Sequence, residues 1–520
     1  MSKLDAAWLH MDSETSLMMM VGVLVLRPGL RYADLATRLQ QRLPYYPRFV
    51  QCAREGASDA SGAHRVDWVT DPDFHIANHL VLEKLPGSSA ASQQQALQDR
   101  LGSLCMQPLD RQHPLWQFHL VEHYQGGSAV VLRIHHCMAE GMALMAFTQA
   151  MVDGTPPPTA RPGEVPGPNP MEDWLLQALL QPLTHLAVHS LETAGDAASK
   201  ALALAGEGAM QSLFLLLHPQ EGVNKGVKKA LKKGMDGTAE LAHAACQILS
   251  DLAALAQMPD DSVTRLKGQP GRHKRVAWCA PLPLADIQEV GRALNCSVND
   301  VLLSCVAGAI GEYLRCQGED LTDMNIPAMV PVNVRPQEQA RQPGKQLGLV
   351  PLLLPIGLRN PVERVYAVRS RMRVFKGSME TVLTYTLLGA AGLLIQPVQD
   401  TVLELFASKF TAILTNVPGP ASRPTLCGST MEECLFWVPQ TGSVGLGLSI
   451  LSYGGAVQFG LMADASLCPR PQQIVDQFEP EFAKLTMLTL MLPWGEGEDE
   501  VAGVGAGRGV GLTAESSRCL

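Results

Sequence analysis

The sequence predicts a mixed α/β protein built as two lobes, each with its own hydrophobic core. Its 520 residues exceed the size of one typical domain. Hydrophobic residues make up 46% of the chain and charged residues only 18%, which indicates a large packed interior. Apolar runs of strand length, such as residues 17–26 and 128–134, alternate with segments of helical periodicity. This alternation predicts sheets covered by helices.

The N-terminal 152 residues contain the first set of predicted elements. In order, they are an amphipathic start at Leu4–Leu9, a strand at Leu17–Leu26, a helix at Tyr32–Leu43 stopped by Pro44, strand and loop around Pro72–Leu82, a helix at Gln93–Met106, strands at Phe118–Glu122 and Ser128–Ile134, and a buried helix at Met142–Met151. These elements form the predicted N-terminal lobe, residues 1–152.

A change of composition marks the connection to a second lobe. Residues 153–170 are rich in proline and glycine, as in a linker, and residues 171–258 are helical and rich in alanine and leucine. The connection, residues 153–271, carries a basic cluster of Lys225, Lys228, Lys229, Lys232 and Lys233. This cluster is either a solvated helix face or a patch attracted to anionic lipid.

The second predicted lobe spans residues 272–492, and a disordered, Gly- and acid-rich tail follows at 493–520. Its predicted elements are strands at Arg275–Trp278, Met329–Pro336, Gly348–Pro355 and Phe410–Pro420, a hairpin of Gly445–Ile450 with Gln458–Ala463, and helices at Pro283–Ala293, Val301–Leu314, Pro361–Met379 and Pro471–Leu492; the apolar segment Thr381–Leu405 is interrupted by Pro397.

Charge and cysteine content exclude several classes of protein. The net charge of −9 argues against a nucleic-acid partner. Twelve cysteines without Cys-x-x-Cys spacing indicate reduced thiols of a cytosolic protein. The opening residues lack a secretory pattern, and no run of eighteen apolar residues occurs, so we expect any membrane contact to be peripheral.

Two adjacent histidines, His135 and His136, lie where a predicted strand meets a predicted helix, and Glu140 and Gly141 follow them. Successive strand residues point to opposite faces, so one imidazole can face a substrate while the other packs behind it. A His-His-x-x-x-acid-Gly pattern is expected by chance in only about 0.003 chains of this composition. Two buried structural histidines are the alternative interpretation. A metal site is less favoured at His135 and His136, because further ligands are lacking. The same argument applies to a metal site at His75 and His79.

The His135–Gly141 stretch resembles the HHxxxDG motif of the bacterial wax ester synthase/diacylglycerol acyltransferase family, except that Glu140 stands where the family has Asp. Other family-like segments occur in the family's order: Leu4–Trp8, Tyr45–Phe49, the triplet Pro114-Leu115-Trp116 about twenty residues before the histidines, Asn299-Asp300, and Thr415–Pro420 containing Asn416, Pro418 and Gly419. The resemblance extends from Leu4 to about residue 490.

The resemblance implies a fold like chloramphenicol acetyltransferase, with a substrate tunnel between two lobes. It also implies acyl transfer from acyl-CoA, as co-substrate, to diacylglycerol or a long-chain alcohol. His136 would be the general base and His135 its packing neighbour. Glu140 would form an ion pair or orient the loop, with Arg335 or Arg133 as candidate partners, and Gly141 would let the backbone pass closely.

Further site residues follow from the same resemblance. Asn299 would hold the substrate or the developing oxyanion, although Ser297, Asn299 or Asp300 could instead cap a helix. The substrate-binding candidates are Pro114, Leu115, Trp116, Asp300, Asn416, Pro418 and Gly419. We expect no metal and no cofactor. We also expect a monomer or homodimer located in the cytoplasm, peripherally associated with the inner membrane or lipid inclusions. A same-fold enzyme with another acceptor, a non-catalytic lipid-binding protein and a scaffold remain alternatives.

Overall fold

The computed structural model describes residues 1, 3–56, 66–138, 148, 150–156, 261–262, 264–333, 347–377, 383–384, 408–440 and 444–491. Several sequence predictions lie outside these residues: Glu140, Gly141, Arg335, most of the Met142–Met151 helix, the lysine cluster, most of Thr381–Leu405, and the tail.

A six-stranded sheet forms the first layer, in the order β13-β14-β1-β6-β5-β4. Its strands are β1 (Met19–Arg27), β4 (Leu80–Glu83), β5 (Trp116–Tyr124), β6 (Gly127–His135), β13 (Thr425–Leu426) and β14 (Ser429–Trp437). The central strand β1 pairs antiparallel with both β6 and β14. Alternate residues of β1 pack into two different core clusters, with Leu24 on one face and Val23 on the other. Burial on both faces explains why this strand is apolar throughout.

The helices α1 (Lys3–His10), α2 (Tyr32–Arg42), α3 (Ile76–His79) and α4 (Ala90–Cys105) accompany this sheet, and β2 (Gln51–Glu55) and β3 (Val66–Thr70) form a separate hairpin. The predicted helix at residues 32–43 ends at Arg42, and a 3₁₀ turn, Leu43–Tyr45, accommodates Pro44. The prediction of strand and loop before Leu80 was wrong in part, because Ile76–His79 form the helix α3. Pro72 does not prevent this helix, since it lies four residues before α3 and leaves the backbone N–H groups of the helix intact.

The second sheet has the order β11-β10-β9-β12-β15-β16-β7, and the short β8 also pairs with β16. Its strands are β7 (Lys274–Trp278), β8 (Leu282–Pro283), β9 (Ile326–Asn333), β10 (Leu347–Leu354), β11 (Leu383–Thr384), β12 (Ala412–Pro418), β15 (Leu446–Tyr453) and β16 (Ala456–Asp464). The predicted hairpin is confirmed, because β15 and β16 pair antiparallel.

The described part of the second half of the chain contains the helices α5 (Leu284–Ala293), α6 (Val298–Cys316), α7 (Pro361–Gly377), α8 (Gln472–Val475) and α9 (Phe478–Leu490). The predicted single closing helix is in fact two. Pro480 lies in the first turn of α9, where its missing N–H is harmless; in a continuous helix its ring would meet the carbonyl of residue 476. The helix α6 is buried along most of its length and packs against α7 and α9.

The two halves of the chain are joined through close contacts. β13 and β14 come from the C-terminal half of the sequence and yet extend the first sheet. The helix α4 packs on β7, and Gly102 is needed there because a Cβ atom at that position would lie 2.3 Å from the Lys274 carbonyl oxygen. The architecture confirms the predicted mixed α/β class. Among the described helices, none alone has the length and apolar character to cross a membrane; α5 and α6, bent by 99°, meet those criteria only as a pair.

Candidate active site

The two histidines lie where β6 ends in a 3₁₀ turn, His136–Met138, as the sequence predicts. Backbone hydrogen bonds fix the turn on both sides. The His135 N–H donates to the Leu115 carbonyl at 2.9 Å, and the His136 N–H donates to the Met18 carbonyl at 2.7 Å. The chain segments leading into β5 and β1 therefore hold the two histidines directly.

Both ring nitrogens of His135 are engaged. Its Nε2 lies 3.2 and 3.3 Å from the two carboxylate oxygens of Asp12, and its Nδ1 accepts a hydrogen bond of 3.2 Å from the Cys137 N–H. Because a backbone N–H can only donate, this network assigns the ring proton to Nε2. The side chain of His135 is 3% exposed. It is therefore a fixed, buried hydrogen-bonding group.

His136 has a different environment. Its ring stacks on Trp8 with 4.4 Å between centroids and an angle of 25°. Its Nδ1 is buried and, within the described part of the chain, has no hydrogen-bond partner. Burial lowers the pKa of His136 to about 4. The imidazole is consequently neutral at pH 7 and carries a lone pair that can accept a proton.

A cavity of about 710 Å³ lies beside the first histidine. Its lining is mixed, with apolar side chains such as Leu9 and Leu17 and charged groups that include Asp12, Arg111 and Arg272. Arg111 lies 3.6 Å from Asp12, and Arg272 pairs with Glu14. His135 faces this cavity, whereas the ring of His136 packs on Trp8.

The triplet Pro114-Leu115-Trp116 is buried directly beneath the histidine turn. Trp116 donates its indole N–H to the Phe49 carbonyl at 2.8 Å, and its ring stacks on His79 at 4.4 Å. Leu115 provides the carbonyl that holds the His135 backbone and also lines the cavity. In these contacts the triplet supports the strand entry, and its predicted part in substrate binding stays a prediction. Within the described residues, no group of three or more His, Cys, Asp or Glu side chains could hold a metal ion.

Two distant motifs are brought together in the second half of the chain. Asn416, on β12, donates from Nδ2 to Oδ1 of Asn299, in the first turn of α6, at 2.8 Å. Sequence spacing alone could not predict this contact across 117 residues. With its Oδ1 engaged, Asn299 can direct its Nδ2 donors elsewhere.

The neighbours of these two asparagines have structural roles. Asp300 accepts a hydrogen bond of 2.9 Å from the Ser297 N–H, and Ser297 Oγ accepts one of 3.2 Å from the Asp300 N–H. This reciprocal capping box accounts for Asp300, as the capping alternative predicted. Pro418 ends β12, and the following Gly419 donates its N–H to the Ser452 carbonyl at 2.7 Å. A Cβ at Gly419 would also lie 2.7 Å from that oxygen, so only glycine fits this close approach of two backbone segments.

Arg133 was one predicted partner for Glu140. Within the described residues, its buried guanidinium donates to the Gln117 side chain at 2.9 Å and to the Gln107 carbonyl. Burial lowers the pKa of Arg133 to about 10. The partner of Glu140 therefore remains a prediction from sequence.

Sequence reasoning missed two residues that contact the histidines, Trp8 and Asp12. Trp8 belongs to the family-like segment Leu4–Trp8, which offered a signal for its importance. Asp12 lies in an irregular segment after α1, and its contact with His135 depends on tertiary structure alone.

Comparison with known proteins identifies the family. The model of the wax ester synthase/diacylglycerol acyltransferase catalytic domain matches residues 1–302, and the model of the family's C-terminal domain matches residues 343–486. A probable diacylglycerol O-acyltransferase of Mycobacterium tuberculosis is 24% identical over 497 residues, covering 94% of this chain and 96% of the relative. A diacylglycerol O-acyltransferase homologue of Mycobacterium bovis is 26% identical over 428 residues, covering 80% and 76%.

Solved structures show the same fold. The wax ester synthase/diacylglycerol acyltransferase from Marinobacter aquaeolei superposes with a TM-score of 0.62 at 19% identity, covering 94% of this chain and all of that one. A cyclization-docking bidomain of a peptide synthetase from Sorangium cellulosum gives 0.50 at 12% identity, covering 95% and 85%. The catalytic-domain match spans more than half of the chain. The chain therefore belongs to the wax ester synthase/diacylglycerol acyltransferase family and is an acyltransferase.

Proposed function

We propose that this protein transfers a long-chain fatty acyl group from acyl-CoA to the hydroxyl of diacylglycerol, with His136 as the general base. The observation that carries this proposal is the environment of His136. A buried, neutral imidazole, whose Nδ1 has no hydrogen-bond partner among the described residues, follows a strand within the matched acyltransferase catalytic domain. The relatives named as diacylglycerol O-acyltransferases support diacylglycerol as the acceptor.

In the proposed reaction, the Nδ1 or Nε2 atom of His136 takes the hydroxyl proton of the acceptor while its oxygen attacks the thioester carbon. The tetrahedral intermediate collapses with loss of the CoA thiolate, which receives the same proton. No acyl-enzyme is needed, because the base acts on the alcohol itself. A side-chain amide such as Asn299, oriented by Asn416, would stabilise the oxyanion.

A long-chain fatty alcohol is the second candidate acceptor, since the similar Marinobacter structure is a wax ester synthase/diacylglycerol acyltransferase. The two activities are separated by a CoA thiol-release assay with purified protein, palmitoyl-CoA, and either dioleoylglycerol or hexadecanol. We expect thiol release with dioleoylglycerol and triacylglycerol as the product by mass spectrometry. Release with hexadecanol alone would reassign the acceptor, and release with neither would favour another alcohol or a non-catalytic homologue.

We further propose that the protein needs no metal or organic cofactor and works in the cytoplasm as a monomer or homodimer at a lipid surface. The lysine cluster at residues 225–233 supports the location at a lipid surface, and only through its charge. Flotation on anionic liposomes tests this location. Binding that is unchanged when all five lysines become glutamine would remove the cluster from the proposal, and absence of flotation would contradict the location.

A further inference from the structure

Asp12 connects the two segments that hold the catalytic turn. Its Oδ1 accepts a hydrogen bond of 2.7 Å from the Met18 N–H, and both of its carboxylate oxygens lie within 3.3 Å of His135 Nε2. The side chain of Asp12 is 20% exposed, so its carboxylate is largely shielded from solvent. Both contacts lead to the histidine turn.

The first path runs through the backbone. Asp12 holds the Met18 N–H, and the carbonyl of Met18 accepts the N–H of His136 at 2.7 Å. Immediately afterwards the chain enters β1, where Met19 pairs with His135. The segment between Asp12 and Met18 is therefore closed into a loop that ends on the amide of the proposed base.

The second path runs through the His135 ring. Asp12 fixes the proton on Nε2, which leaves Nδ1 as the acceptor for the Cys137 N–H. Cys137 is the second residue of the turn that begins with His136. Loss of the carboxylate would allow the ring to adopt the other tautomer, with a proton on Nδ1 opposing the Cys137 N–H.

We propose that Asp12 is a positioning residue for acyl transfer, which holds the His136 turn through Met18 and through the tautomer of His135. This inference rests on the proposed role of His136. Asp12 makes no contact with the His136 ring and exchanges no proton with the substrate. Removal of the Asp12 carboxylate should displace the His136 ring by up to about 1 Å. A misplacement of about 1 Å lowers turnover by roughly 10²-fold.

The kinetic test compares Asp12→Ala with Asp12→Asn. We expect Asp12→Ala to lower kcat by roughly 10- to 100-fold, with the KM for palmitoyl-CoA within about twofold of the parent value because no substrate contact is lost. Asn keeps an acceptor oxygen for the Met18 N–H and for His135 Nε2, so the kcat of Asp12→Asn should lie within about fivefold of the parent value. Asp34, a partly exposed acid in the first turn of α2 that pairs with Arg31 just before the helix, provides the matched control, and Asp34→Ala should leave the kinetics unchanged.

Three results would overturn the proposal: a kcat for Asp12→Ala within threefold of the parent, a raised KM with unchanged kcat, or an Asp12→Asn enzyme as impaired as Asp12→Ala. A measurement on the parent protein avoids any folding defect of the variants. In ¹⁵N-histidine-labelled protein, the His135 resonances, assigned with His135→Gln, should show the Nε2–H tautomer, and an Nδ1–H tautomer would contradict the network.

Failure of the underlying function is recognised separately. A parent enzyme without acyltransferase activity on either acceptor would refute the proposed substrates and leave the tautomer result standing. A fully active His136→Ala enzyme with an impaired Asp12→Ala enzyme would refute the choice of base.

Discussion

Replacing His136 by alanine tests the proposed base directly. A positioned general base contributes about 10²- to 10⁴-fold to rate, which corresponds to roughly 3 to 5 kcal/mol of transition-state stabilisation. No other described group can take over this role at the same place. The neighbouring His135 has both ring nitrogens engaged, by Asp12 and by the Cys137 N–H. We therefore expect kcat to fall by at least about 10²-fold.

The same substitution should leave the fold nearly unchanged, because two contributions oppose each other. Loss of the stacking between His136 and Trp8 removes about 0.5 to 1.5 kcal/mol. Removal of the buried Nδ1, which has no hydrogen-bond partner in the described part of the chain, relieves about 1 to 3 kcal/mol. These two terms together range from about 0.5 kcal/mol of destabilisation to about 2.5 kcal/mol of stabilisation, and the cavity left by the ring opposes the gain. The free energy of unfolding should therefore change by no more than a few kcal/mol, which corresponds to a shift of a few degrees in Tm.

The assay measures initial rates of CoA release and a thermal melt on the same preparations. His123→Ala is the matched control, because His123 lies on the same sheet with an exposed side chain and should retain the activity of the parent. A folded His136→Ala enzyme with activity within threefold of the parent would refute the assignment. A larger loss for His135→Ala than for His136→Ala would show that the wrong histidine was chosen.

Three further predictions follow from the site. Since the pKa of His136 is lowered to about 4 and the neutral ring is the active form, kcat/KM should be level from pH 5.5 to 8 and should fall only as the pH drops toward 4; an inflection near 6.5 would contradict this. Asn299→Ala should lower kcat by about 10²- to 10³-fold if its amide stabilises the oxyanion. Asn416→Ala only releases that amide, so it should lower kcat by roughly tenfold and lose about 1 kcal/mol of stability. Equal effects of the two substitutions, or no effect, would remove this pair from the mechanism. Glu140→Asp should have a mild effect on turnover and stability, whereas Glu140→Gln should lose both turnover and several kcal/mol of stability if it leaves a buried cation unpaired. A thermal melt and a rate measurement on both variants test this. Unchanged stability with lowered turnover would instead indicate direct proton transfer by Glu140.

Most regular elements could be predicted because their local patterns agree with their final environment. The helix α6 has a capping Ser297 followed by nineteen residues with few charges, and it is buried where the second core forms. Strand β6 is apolar and ends at the histidines, as predicted. These segments needed no information about distant parts of the chain.

The strand β14 was not predicted, because its local pattern is weak. It contains Glu432 and Glu433 and has a mixed burial pattern, although it pairs along most of the length of β1. Its place in the first sheet is decided by pairing with residues of β1 more than 400 positions earlier, which no local pattern can indicate. The Asn299–Asn416 pair was missed as a pair for the same reason. Each residue had been identified separately through the family resemblance.

The low pKa of His136 sets a requirement on the rest of the mechanism. A ring with a pKa of about 4 is protonated less easily than a free imidazole at 6.5, and this difference corresponds to about 3 kcal/mol. Asp12 cannot supply the compensation, since its carboxylate serves His135 and the Met18 N–H. With His136 as the proposed base, the developing imidazolium would instead be balanced by the negative charge that forms on the thioester oxygen during attack. Proton transfer and carbon–oxygen bond formation are therefore expected in one step, with His136 charged only while the oxyanion exists. In this proposed mechanism the base stays neutral until both substrates are in place.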